Sequence, residues 1–220
     1  GCENRIVYDF VDVINGNARL SQALVKDKQL ENLYILPASQ TRDKDALTDD
    51  GVTEVMDELS KQFDYIICDS PAGIERGAQL AMYHADEAII VTNPEISSVR
   101  DSDRIIGILQ SQTKKVIENQ GTVREHLIIT RYNADRAAAN EMMDIDTISN
   151  DILKVPLLGV VPESHSVLEA SNHGEPVIHY TDSVAGQCYD DIVARFLGEE
   201  RPLRHIDVKK KSLLQRWFGG

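Results

Sequence analysis

Apolar positions recur at helical spacing over residues 7–14, ahead of the stop Asn15-Gly16, and residues 21–26 can add another turn. Leu33-Tyr34-Ile35-Leu36 reads as a brief strand closed by Pro37. Thr48 to Asp50 supply caps for a helix on which Val52, Val55, Met56, Leu59 and Phe63 share a face. The run Tyr65-Ile66-Ile67-Cys68 is too short for a helix and long enough for a strand buried on both faces, with Cys68 filling an interior position. Beyond it the pattern predicts a helix over 75–84 and a strand over 86–92. The next helix is capped by Ser97 or Ser98 and runs towards Lys115, with Val99, Ile105, Ile106 and Leu109 to pack. Strands over 126–131 and 155–161 and helices over 146–154, 166–172 and 183–197 complete the series. Strands separated by helices of this length imply right-handed crossovers. The expected fold is therefore α/β, with a mostly parallel sheet and helices on both faces.

The body is expected to occupy residues 1–198, followed by a linker over 199–208 and a separate helix over 209–220. In that last stretch Leu213, Leu214, Trp217 and Phe218 fall on one helical face, while Lys209, Lys210, Lys211 and Arg216 lie mostly around it. Such a helix lies in a membrane interface rather than across it. Burial of the four apolar side chains at about 1.5–3 kcal/mol each, with about 1 kcal/mol per basic residue near an anionic leaflet, roughly offsets the cost of ordering the segment. One copy should bind membranes weakly, and two copies in a dimer far better through effective concentration.

Charge sharpens this picture. The net charge is −13, and the tail contributes four positive groups without an acid, so the body is more acidic than the total suggests. A field of that sign repels nucleic acid phosphates and argues against a general nucleic acid partner. Cys2, Cys68 and Cys188 form no CxxC pair, which fits a reducing cytoplasm better than a disulfide scaffold. No apolar run is long enough to span a bilayer. His165, His173 and His179 lie at no metal-ligand spacing, and Ser70 lacks the flanking glycines of a hydrolase elbow.

The candidate chemistry gathers where strands end. Asp69 follows the apolar run directly and opens the turn Ser70-Pro71-Ala72-Gly73, as a Walker B carboxylate does when it holds magnesium, often through water. Other strand ends carry Asn93-Pro94-Glu95, Arg131-Tyr132-Asn133 and Pro162-Glu163, and in open parallel sheets ligands collect beyond such carboxyl ends. A phosphate-binding Gly-x-x-x-x-Gly-Lys-Ser/Thr loop is absent from these 220 residues.

Tyr34 through Leu47, Cys68-Asp69-Ser70-Pro71-Ala72-Gly73-Ile74-Glu75, Thr92 through Glu95 with Ser98 through Arg104, Gly174-Glu175-Pro176-Val177 and the terminal Trp217-Phe218-Gly219-Gly220 together resemble the MinD branch of the MinD/ParA family of deviant-Walker P-loop ATPases. The resemblance spans essentially the whole chain. It implies an ATPase using ATP and Mg that forms a homodimer around nucleotide. It also implies a peripheral position on the cytoplasmic face of the inner membrane, recruitment of the division inhibitor MinC, and release when MinE stimulates hydrolysis. Matched to the family pattern, Asp69 is the catalytic and magnesium-orienting acid. Asn133, Pro162 and Glu163 belong to loops embracing the base, and Glu95 approaches nucleotide across the dimer. Asp101 and Asp103 fall on partner and dimer surfaces, although a solvated start of a helix explains both equally well.

The family opens with a strand, a Gly-Lys-Gly-Gly-x-Gly-Lys-Thr loop, a helix and a second strand, and the sequence shows no counterpart of them before Gly1. The chain is therefore expected to be a fragment that binds ATP weakly and folds poorly alone, because the absent first strand belongs inside the family's sheet and its neighbours would lose backbone partners. Two alternatives remain: a ParA-like DNA partition ATPase, and a non-enzymatic membrane adaptor.

Overall fold

The computed structural model describes residues 2–39, 47–71, 73–204 and 206. The expected tail helix over 209–220, with Lys209, Lys210, Lys211, Leu213, Leu214, Arg216, Trp217 and Phe218, lies outside them, as do Ala72 and much of the polar loop after Ser39. The described residues fall into two compact units, one within Gly1–Ala85 joined by Gln112–Gly121, the other within Asp86–Ser111 and Thr122–Gly220.

In the first unit, helix α1 (Phe10–Ile14) starts later than its apolar spacing suggests because Asp9 caps it in a reciprocal box with Asp12. The stretch expected to extend that helix divides instead into α2 (Leu20–Ala23) and strand β1 (Val25–Lys26). Strand β1 pairs antiparallel with β2 (Tyr34–Ile35), so β2 belongs to a small ribbon and not to the parallel sheet. Helix α3 (Asp49–Leu59) begins where its cap predicts, with the Thr48 hydroxyl accepting from the Gly51 amide. Its Val55 and Leu59 form a core with Leu20, against which Phe10, Ile14, Phe63 and Ile66 pack. Helices α4 (Arg76–Tyr83) and α6 (Lys114–Ile117) complete the unit.

The expected buried strand over 65–68 is not formed. These residues run as irregular backbone with Tyr65 66% and Ile67 91% exposed, Cys68 is exposed as well, and only Ile66 and the preceding Phe63 reach the core. A short apolar run becomes an interior strand only when a neighbour supplies both the hydrogen-bond ladder and the covering layers. Among the described residues no strand pairs with it.

The second unit holds a parallel sheet of β3 (Glu87–Thr92), β4 (Arg124–Tyr132) and β5 (Leu157–Pro162) in sequence order, flanked by helices. Helix α5 (Ile96–Gln112) starts ahead of Ser97 and Ser98, because the Glu95 carbonyl already accepts from the Val99 amide at 3.0 Å. Its buried stripe is Val99, Ser102, Ile106 and Leu109. Helix α7 (Ala134–Ala138) was not legible in the spacing. The helix over 146–154 is wound as a π-helix at Thr147–Leu153 and ends on left-handed Lys154. Helices α8 (His165–His173) and α9 (Val184–Phe196) follow closely as expected, α9 capped by Ser183. Ala185, Cys188 and Ile192 of α9 pack on Ile128, Leu158 and Val161, while Leu127 and Ile129 point to the opposite sheet face and are fully buried. Outer positions Ile89 and Val91 of β3 remain exposed, and its free edge carries no pairing among the described residues.

His84, beside the hydroxyl of Thr53 at 3.2 Å, has its pKa lowered from 6.5, first by burial and then by the Lys114 charge, with Asp57 opposing. The unfolded chain therefore takes up the proton more readily. The stability that neutral His84 contributes is present above pH 6.5 and is lost as pH falls below that value. Urea midpoints measured across this range should decline on the acid side, and His84→Gln should flatten the decline.

Candidate functional site

The carboxyl ends of the three parallel strands form one edge, and side-chain and backbone hydrogen bonds knit their exits together. The Thr130 hydroxyl donates to Asn93 Oδ1 at 2.9 Å, joining the exits of β3 and β4. The Glu163 amide donates to the Tyr132 carbonyl at 3.0 Å, joining β4 and β5, and the Met143 amide donates to the Pro94 carbonyl at 3.3 Å. Four of the expected site residues, Glu95, Asn133, Pro162 and Glu163, stand on this edge. Asn133 is half-buried; its Oδ1 accepts the Asp135 and Arg136 amides at 3.1 and 3.2 Å and so caps α7. Glu95 and Glu163 are exposed.

Beside this edge lies a cleft of about 600 Å³ bordered by Glu95, Ile96, Arg131, Arg136, Met142 and Asp144. Arg131, one of the strand-end residues, adopts φ +57° at a register shift between Thr130 and Tyr132, a conformation the sequence did not announce. A left-handed non-glycine residue in a strand bulge re-aims the side chains around it. Nothing in residue types signals that conformation. Burial, reinforced by the charges of Asp144 and Asp146, pushes the Tyr132 phenol up, so its hydroxyl stays protonated at neutral pH. The Thr147 hydroxyl and amide bond the Asp144 carboxylate and lower its pKa, keeping it charged.

Asp69 belongs to the first unit, whereas the four edge residues belong to the second. It follows the unpaired 65–68 segment, is exposed, and its carboxylate has no partner among the described residues. Asp101 and Asp103 are exposed near the start of α5, with Asp101 3.5 Å from Arg104. Because Ser102 between them is buried, the two acids flank a buried position and do not form one compact patch.

A family model described as the CobQ/CobB/MinD/ParA nucleotide binding domain matches residues 10–177. The septum site-determining protein MinD of Neisseria meningitidis serogroup B is 61% identical over 223 residues, which cover 100% of this chain and 82% of that protein. Its Escherichia coli K12 counterpart is 58% identical, with the same coverage of both chains. This chain belongs to the MinD family. Among solved structures, MinD of Aquifex aeolicus is similar at a TM-score of 0.78 and 36% identity, covering 92% of this chain and 80% of that one. The MinC:MinD complex of the same organism matches at 0.76 and 38%, covering 93% and 79%. MinD of Pyrococcus horikoshii complexed with Mg-ADP matches at 0.68 and 29%, covering 88% and 76%. The MinD family supplies the P-loop nucleotidase fold class expected for the parallel sheet, and its members act in placing the division septum.

The residues present fit a nucleotide in part. Asn133, with its carbonyl oxygen spent on a cap, offers an amide donor at the strand edge suited to a purine base. Asp69 offers an uncommitted carboxylate suited to magnesium or its water shell. The triphosphate has no matching cradle, since the 220 residues contain no glycine-rich loop with its lysine. No hydrolytic step is therefore assigned to these residues by themselves.

Proposed function

We propose that this chain serves division-site selection as a peripheral membrane protein that presents a MinC-binding surface, in the manner of a nucleotide-switched MinD. The observation that carries the reading is identity of 61% to a septum site-determining protein along the full chain. Asn133, Pro162 and Glu163 border the base, Glu95 reaches nucleotide across a homodimer, and Asp69 orients magnesium. Asp101 and Asp103 contribute to the partner and dimer surface, and MinE reverses the assembly. The basic amphipathic segment over 209–220 provides attachment to the cytoplasmic face of the inner membrane. ATP and Mg are the cofactors of this cycle in a family member that carries the phosphate loop. Similarity to the solved MinC:MinD complex of Aquifex aeolicus supports the MinC assignment, and similarity to the MinD of Pyrococcus horikoshii complexed with Mg-ADP supports the cofactors.

The test sets membrane against DNA. The purified chain, with and without residues 209–220, is sedimented with anionic phospholipid vesicles and, separately, titrated with duplex DNA at physiological salt. Tail-dependent sedimentation with negligible DNA binding is the expected outcome. Saturable DNA binding without vesicle binding would replace this reading with the partition ATPase.

A further inference from the structure

After α9 the chain turns at Gly198, φ +93°, and runs back along the helix it has just left. Two residues of α9 hold this strap. Arg195 donates through Nε to the Leu158 carbonyl and through Nη1 to the carbonyls of Arg201 and Pro202 at 3.1 and 3.2 Å. One turn earlier Asp191, 1% exposed, faces Arg204: Nη2 donates to Oδ1 at 2.8 Å, and Nε makes an ionic contact with Oδ2 at 2.7 Å. Within the strap, Arg201 forks onto Glu199 at 2.8 and 3.1 Å. A buried carboxylate is costly without its partner, so the Asp191–Arg204 pair resists opening. Leu158 lies near the amino end of β5, away from the carboxyl edge with its candidate ligand residues, so the strap has no part in that edge.

We propose that Asp191, Arg195 and Arg204 form a clasp that fixes where the basic amphipathic segment over 209–220 leaves the domain, and so sets the height and orientation of the acidic body above an anionic membrane. The inference rests on the membrane reading given above. With the clasp closed, five residue steps separate Arg204 from Lys209 and span at most roughly 17 Å; opened back to Gly198, eleven steps reach roughly 38 Å. Surface charges are felt over about 8 Å at physiological salt. The clasped body therefore stays within about two screening lengths of the bilayer, where its charge distribution selects an orientation, and the freed body does not.

Energy transfer on the full chain tests this. A donor dye is placed on Asp190→Cys, an exposed position of α9, in a background with Cys2→Ser and Cys68→Ser, and acceptor dye is carried by anionic vesicles. The clasp is opened by Asp191→Asn, Arg195→Gln and Arg204→Gln together, or by Asp191→Leu, Arg195→Met and Arg204→Met, so that the Arg195 bonds to the Arg201 and Pro202 carbonyls are lost along with the ion pair; the apolar set is chosen because apolar replacement of a buried ion pair preserves folding. The expected result is a narrow distance distribution for the native pair. In either triple variant it broadens and its mean shifts outwards by roughly 6 Å, the difference expected between flexible tethers of eleven and five residues. An unchanged distribution, with binding still dependent on residues 209–220, overturns the clasp and leaves the membrane reading intact. Transfer that survives deletion of residues 209–220 overturns both.

Discussion

Gly159→Ala is expected to destabilise the protein by about 1–3 kcal/mol, the usual cost of forcing a methyl group into a filled core. Gly159 lies in β5 directly beneath α9, and a Cβ there would overlap Ile192 Cγ1 and stand 2.8 Å from both Ile192 Cδ1 and Arg195 Nη2. Neither neighbour can retreat freely. Ile192 is part of the buried cluster with Ile128 and Leu158, and Arg195 is held by carbonyls of β5 and of the C-terminal strap. The loss should appear as a lower urea midpoint with an unchanged slope. It should shrink by more than half in an Ile192→Ala background, since the two positions share one space and their effects are not additive. An undiminished midpoint for Gly159→Ala would mean that α9 does not rest on β5 this closely.

The second large effect concerns nucleotide. Hydrogen bonds to a charged group contribute about 1.5–3 kcal/mol each, and a phosphate loop supplies several together with a lysine. Losing even two such contacts lowers affinity by roughly 100-fold or more, at about 1.4 kcal/mol per factor of ten. Asn133, Pro162 and Glu163 at the edge of β4 and β5 and the Asp69 carboxylate cannot replace that cradle, because they bring neither a glycine-rich run of backbone donors nor a lysine. These 220 residues should accordingly bind Mg-ATP at least 100-fold more weakly than a family member carrying the Gly-Lys-Gly-Gly-x-Gly-Lys-Thr loop.

What could be read from residue order depended on how local the determining physics is. Strands β4 and β5 were visible because Leu127-Ile128-Ile129 and Leu157-Leu158-Gly159-Val160-Val161 are apolar on both faces, as an interior parallel strand requires. Ser183 and Thr48 announced their helices because a cap acts over three residues. The 65–68 segment has the same apolar character as β4, yet strand formation belongs to a pair, and no described residue supplies the other half. Helix α7 escaped notice because five residues capped by Asn133 bury no stripe and leave no periodicity to detect. Ser97 and Ser98 looked like caps in isolation, whereas the hydrogen bond from Val99 to Glu95 had already committed the backbone.

The candidate site was legible in the same uneven way. Asn133, Pro162 and Glu163 could be assigned to one edge because every parallel strand delivers its next residue to the same side of the sheet. Arg131 stood in the same strand-end group, but its left-handed conformation was not legible, since it follows from a register shift against β5. The Asp191–Arg204 pair, thirteen residues apart, depends on a chain reversal at Gly198 that no spacing rule encodes.

The most direct measurement is an equilibrium titration of a fluorescent ATP analogue, with magnesium, into this chain and into the Neisseria meningitidis MinD under identical conditions. No saturation of this chain is expected at concentrations that saturate the relative. Comparable affinity, displaced by ADP and lost on Asp69→Ala, would show that these residues build a complete phosphate site and would contradict it.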